Sequence, residues 1–175
     1  MMNVHAVDPT IDTAALLAGA QFSDAYSVAV ESSALSARQA AEMMLGRQSR
    51  WIEALMALRN FLVAPFGLKT PSAIRQASAG TVGIFPVLSE TPKRLVAGLN
   101  DRHLDFRFVV DVELSGRSQS ITATTLVLTH NWLGKTYLAI ILPFHRLIVR
   151  SMLRRVTISL HGRAFIREEG RLPPF

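Results

Sequence analysis

The sequence predicts an α+β fold: a curved antiparallel β-sheet wrapped around a long C-terminal α-helix, with two short helices after the first strand. Three observations predict it. Residues 134–155 (GKTYLAIILPFHRLIVRSMLRR) carry helical apolar spacing over a long stretch. Residues 104–114 have the cleanest alternation in the chain, with Leu104, Phe106, Phe108, Val110, Val112 and Leu114 on one side and Asp105, Arg107, Asp111 and Glu113 on the other. That pattern describes a strand with one dry and one wet face. Strand-like runs then follow one another across short turn signals, which argues for a meander. The dry face must be covered, and only the last helix is long enough to lie across it. This is a helix-grip arrangement, which can enclose a cavity between sheet and helix.

Within the C-terminal segment, Tyr137, Ile141, Phe144, Ile148 and Met152 recur at spacings of four, three, four and four, which places them on one helical face. Arg146, Arg150 and Arg154 form a separate basic stripe. Residues 137–142 are apolar all round and are expected to be enclosed; the second half is amphipathic and is expected to emerge at a surface. Pro143 removes a backbone donor, so a kink or local break is expected there. A membrane span needs roughly 20 apolar residues, whereas Pro143, His145 and Arg146 interrupt this run early. The reading is a core helix with a solvated basic edge. A helix lying on an anionic membrane surface is the alternative.

Taken in order, residues 1–22 read as a leader with one short helical turn near 13–18. Tyr26, Val28 and Val30 alternate with Ala25, Ser27 and Ala29 in a first strand. Ser36 and Gln39 form a capping box that opens a short helix ended by Gly46. A second helix is expected over residues 48–63, with Trp51, Leu55, Leu58 and Leu62 on its buried face and Pro65 as its stop. Residues 67–80 are small and polar and read as a loop long enough to be a lid. Residues 81–88 read as one strand in which Pro86 favours an edge or a bulge. Residues 94–99 form the next strand, residues 100–103 a turn, and residues 118–129 a Thr-rich strand after the turn at Gly116. The domain is therefore drawn as 23–156. Residues 157–175 are left as a basic tail with strand-like Ile158 and Leu160, partly disordered.

A chain of 175 residues is one domain with a real core. It has no cysteine, which excludes disulfides, thiolate metal sites and cysteine nucleophiles and fits a reducing cytoplasm. The start has neither a basic n-region nor a long apolar h-region, so no secretory signal is expected. The net charge of +6 arises wholly after residue 133: the part before it balances 11 basic against 11 acidic residues, and the rest holds 8 against 2. No nucleic-acid-binding motif accompanies that charge, so no nucleic-acid partner is predicted. Arg146, Arg150 and Arg154 instead offer a surface for a peripheral membrane or protein contact.

Four motifs occur in the order found in a known family. They are GIFPVLSE at 83–90, GLNDRHLDFR at 98–107, WIEALMALRNFLVAPFGL at 51–68 and HNWLGKTYLAIILPFHRLIVRSMLR at 130–154. Through them residues 17–155 resemble the domain of unknown function 2867 family. Beyond it lies the START-like, birch-pollen-allergen-like superfamily, whose helix-grip fold the resemblance implies. Relatives can carry a short-chain-dehydrogenase-like nucleotide-binding domain, but this chain has no strand leading into a Gly-x-Gly-x-x-Gly turn. The resemblance brings no activity and no catalytic residue.

Candidate chemistry is sparse. Asp101, His103 and Asp105 alternate and would present two carboxylates and an imidazole, but no convergent partner completes a metal site, and a polar hairpin tip is the better reading. His130 stands at the last strand-to-helix junction beside Asn131, a candidate N-cap. His145 lies in the long helix, suited to bond a ligand or a carbonyl. Arg59 and Asn60 interrupt an apolar helix, and Glu90 is placed to pair with Arg102 or Arg107. No cofactor motif is present.

The predicted function is a binding module for a small apolar or amphipathic ligand. Its cavity is expected to be lined by Tyr26, Phe85, Phe106, Phe108, His130, Tyr137, Ile141, Phe144 and His145. The competing readings are a core simply filled by these side chains, a cyclase- or dehydratase-like enzyme using His103, His130 or His145, and a docking protein acting through its basic end.

Overall fold

The structure is a computed structural model that describes residues 3–31, 34–45 and 80–169, with side chains to residue 160. The expected helix at 48–63 with Trp51, Leu55, Leu58 and Leu62, the loop at 67–79, and Arg59 and Asn60 lie outside the described residues. The described elements are β1 (His5–Val7), α1 (Thr13–Leu16), β2 (Phe22–Glu31), α2 (Ala37–Leu45), β3 (Thr81–Val82), β4 (Phe85–Glu90), β5 (Arg94–Asn100), β6 (Leu104–Ser115), β7 (Ser118–Thr129) and α3 (Trp132–Glu169). The fold is the expected α+β one: a curved antiparallel sheet gripping a long C-terminal helix.

Among the described residues, the seven strands all pair antiparallel, in the order β1-β2-β7-β6-β5-β4-β3. Strands β3 to β7 are the expected meander. Strand β2 returns alongside β7 and pairs with it over its whole length, from Phe22 opposite Val127 to Glu31 opposite Ser118. The expected strand at 81–88 is two strands. Gly83, at φ 59°, turns the chain between β3 and β4, a conformation that side-chain-bearing residues adopt at a cost. The register shifts between Val87 and Ser89, next to Pro86, which supplies no donor to the ladder.

The inner face of the sheet carries Tyr26, Val28 and Val30, then Ile121 and Ala123, then Phe108, Val110 and Val112, all buried. Helix α2 packs on it through Ala37, Ala40, Ala41 and Met44, and its capping box forms as expected, with Gln39 N–H donating to Ser36 Oγ at 3.2 Å and Ser36 N–H donating to Gln39 Oε1 at 3.0 Å. The outer face is not simply wet. Val96, Val109 and Leu126 form a second core there, covered by Ile11 and Leu17 of the leader. The leader is thus a structural layer, with β1 paired to β2 and Gln21 N–H donating to the Val127 carbonyl at 2.9 Å.

Helix α3 begins where a glycine permits it. A side chain at Gly134 would collide with the His103 carbonyl oxygen in the β5–β6 turn. Asn131 caps the helix, accepting from Gly134 N–H at 3.1 Å, and its amide reaches His103 Nδ1 at 2.8 Å. The helix continues through Pro143 and on to Glu169, so the segment after 156 is helical rather than strand-like. Its first half is less enclosed than expected, while its second half is amphipathic as expected, with Arg146, Arg150 and Arg154 exposed. Val149, Met152, Leu153 and Val156 in the second half are fully buried against the sheet and α2. The first half is half-buried, and Trp132, Ile140, Phe144 and Leu147 face solvent. The stretch Trp132–Leu160 is also long and apolar enough, by length and composition, to cross a membrane.

Gly134→Ala is expected to destabilise the fold by about 1–3 kcal/mol through overpacking against the turn. Lys135→Ala, one residue along and exposed, should change stability by less than about 0.5 kcal/mol. Urea unfolding of the two variants checks this.

Candidate functional site

Between the first half of α3 and the inner face of the sheet lies a cavity of about 150 Å³. Its walls follow from the strand register. Phe22 of β2, Val127 of β7, Phe106 of β6 and Leu99 of β5 are successive cross-strand partners and form one row. The next row holds Asp24, Thr125, Phe108 and Ala97. Directly opposed residues share a face, so both rows look toward the helix. Tyr137, Leu138, Ile141, Leu142 and His145 form the roof, and Phe85 and Ile84 close one end. Phe85 and Phe106 stack at 5.2 Å between ring centres.

The polar groups are few, and His145 and Thr125 stand near one another. His145 Nε2 stands 3.0 Å from Asp24 Oδ1, and both side chains are largely buried. Phe22 packs edge-on against the His145 ring at 5.5 Å. Thr125 is 1% exposed, lines the cavity, and its hydroxyl has no hydrogen-bond partner among the described residues. Nearby, burial pushes the Tyr26 phenol above its ordinary pKa; Asp24 pushes it the same way, and Arg146 and Arg150 oppose.

Of the nine predicted site residues, Phe85, Phe106, Phe108, Tyr137, Ile141 and His145 line this cavity. Tyr26 is buried in the main core beyond it. Phe144 is 59% exposed on the far side of the helix. The physical reason is that apolar residues surround this part of α3. A spacing of three or of four from Ile141 continues an apolar face equally well, and packing chose His145. His130 is outside the cavity, paired with Asp105 at 3.2 Å, while His103 contacts Asn131. Asp101 does line the cavity, and its backbone N–H is held by Asp105 Oδ1 at 3.1 Å. Among the described residues no cluster suited to a metal ion occurs. Glu90 pairs not with Arg102 or Arg107 but with Arg38 of α2, whose Nε donates at 2.8 Å. That guanidinium holds the Glu90 carboxyl below its usual range.

Sequence reasoning missed Asp24 and Thr125. The signal was there: Asp24 is in phase with Tyr26, Val28 and Val30, which puts an acid on the dry face of its strand.

The family described as "Protein of unknown function (DUF2867)" matches residues 16–152. This chain belongs to it. Among curated proteins no sequence matches. A solved structure, CalU16 from Micromonospora echinospora, is similar at 10% identity with a TM-score of 0.29, covering 95% of this chain and 96% of that one.

Thr125→Val removes a buried hydroxyl that has no partner among the described residues. It should raise stability by about 1 kcal/mol, seen as an increase in Tm in the ligand-free protein.

Proposed function

We propose that this protein is a binding module for a small apolar or amphipathic ligand, held between the sheet and the C-terminal helix. The cavity carries the reading: apolar walls from five strands and two helices, with few polar groups among them, His145 and the buried Thr125 hydroxyl included. About 150 Å³ lined by apolar side chains is room for a benzene-sized group. The sheet-and-helix geometry supports placement in the START-like helix-grip superfamily. An acid–base enzyme of the cyclase or dehydratase kind reduces to His145, because His103 and His130 do not line the cavity. Native mass spectrometry of gently purified protein should show a reproducible added mass that is lost on denaturation, and Ile141→Trp, which fills the space, should abolish it. An unliganded mass for the wild-type protein counts against the reading.

The outer side of α3 favours a second activity, docking on an anionic membrane surface. Trp132, Ile140, Phe144 and Leu147 form an apolar ridge, and Lys135, Arg146, Arg150 and Arg154 flank it on the same exposed side. A helix with apolar and cationic groups presented together fits the headgroup region of a bilayer. Each such cation contributes about 1 kcal/mol near an anionic surface, and each large apolar side chain about 1.5–3 kcal/mol when buried. Vesicles rich in phosphatidylserine should therefore sediment the protein. Replacing Phe144 and Leu147 by Asp should cut binding more than about tenfold, and replacing Arg150 and Arg154 by Glu should do likewise. Binding unchanged by either pair removes this activity; a change from dimer to monomer instead would identify the ridge as a contact between copies.

A further inference from the structure

We propose, resting on the cavity reading above, that the cavity selects a ligand bearing a hydroxyl group, an alcohol or a phenol. An ionised carboxylate can only accept. Asp24 Oδ1, 3.0 Å from His145 Nε2, therefore places the proton of a neutral imidazole on Nε2. In that form Nδ1 is a lone pair, and the hydrogen bond of the His145 ring is the one from Nε2 to Asp24. A second polar group beside it is the Thr125 hydroxyl, buried, lining the cavity and unpaired among the described residues.

The two groups belong to one spot. Asp24 and Thr125 are direct partners across β2 and β7, and Phe108 is the partner of Thr125 on β6. Carboxylate, hydroxyl and aromatic ring thus stand in a row on the inner face, and His145 reaches down to that row from the helix. A ligand hydroxyl satisfies both groups: it donates to Nδ1 and accepts from Thr125. An ether or a carbonyl of the same size only accepts and leaves the imidazole lone pair without a donor. A hydrocarbon leaves both unmet. The surrounding walls are apolar, so the remainder of the ligand is apolar, with one ring or its equivalent at this end.

The test uses the full chain, ¹⁵N-labelled, titrated with phenol, anisole and benzaldehyde and followed by amide shifts of cavity residues. Phenol should bind at least about tenfold more tightly than the other two, the cost of one unmet buried polar group. Thr125→Val should weaken phenol and anisole by about tenfold each, because both accept from that hydroxyl, and should leave the preference for phenol in place. Thr125→Ser, which keeps the hydroxyl, should retain the preference. Cavity shifts with equal affinity for all three probes, or a preference for benzaldehyde, overturn the hydroxyl inference while leaving a binding cavity in place. Absence of cavity shifts with every probe overturns the cavity reading and this inference with it.

Discussion

The structure depends on the close approach between the start of the long helix and the β5–β6 turn. Gly134 lies against the His103 carbonyl, where any side chain would intrude, and Asn131 both caps the helix and bonds the turn. This contact fixes where α3 leaves the sheet. Its other half is held by small residues: Ala37, Ala40 and Ala41 of α2 let Val149, Met152, Leu153 and Val156 settle into a fully buried layer. Between these two anchors the helix bridges the sheet. The cavity lies under that bridge, where the wall side chains meet the helix without filling the space.

The sheet is stabilised from both sides, which explains why a short leader matters. Val96, Val109 and Leu126 would meet water on the outer face if Ile11 and Leu17 did not cover them. Each large apolar side chain removed from water contributes about 1.5–3 kcal/mol, comparable to a sizeable part of a domain's net stability. Reciprocal side-chain bonds tie the layers together: Gln119 of β7 both donates to the Leu35 carbonyl, at 2.7 Å, and accepts from Leu35 N–H.

Against this apolar background the polar end of the cavity is costly. Burying Asp24 and His145 is offset by their mutual hydrogen bond, whereas the Thr125 hydroxyl has no such compensation among the described residues. A protein selected for stability alone would place valine there. Polar groups kept inside at a cost are the expected mark of a binding site. The outer ridge of α3 shows the same tension on the surface, where Phe144 and Leu147 remain in water.

By itself the sequence determined the elements that depend on local patterning. The alternation of residues 104–114 specified β6, the Thr-rich run specified β7 with its boundaries, the Ser36–Gln39 box opened α2, and Asn131 capped the long helix. Dry and wet faces then implied a sheet gripping that helix, and most of the cavity aromatics followed. Only the tertiary structure decided which side of α3 points inward, because apolar residues encircle its first half and no local energy distinguishes Phe144 from His145. It also decided that Asp24 meets His145 across 121 residues, that Glu90 chooses Arg38, and that the leader covers the back of the sheet. Such pairings are set by distance in space, and neither period nor propensity along the chain encodes them.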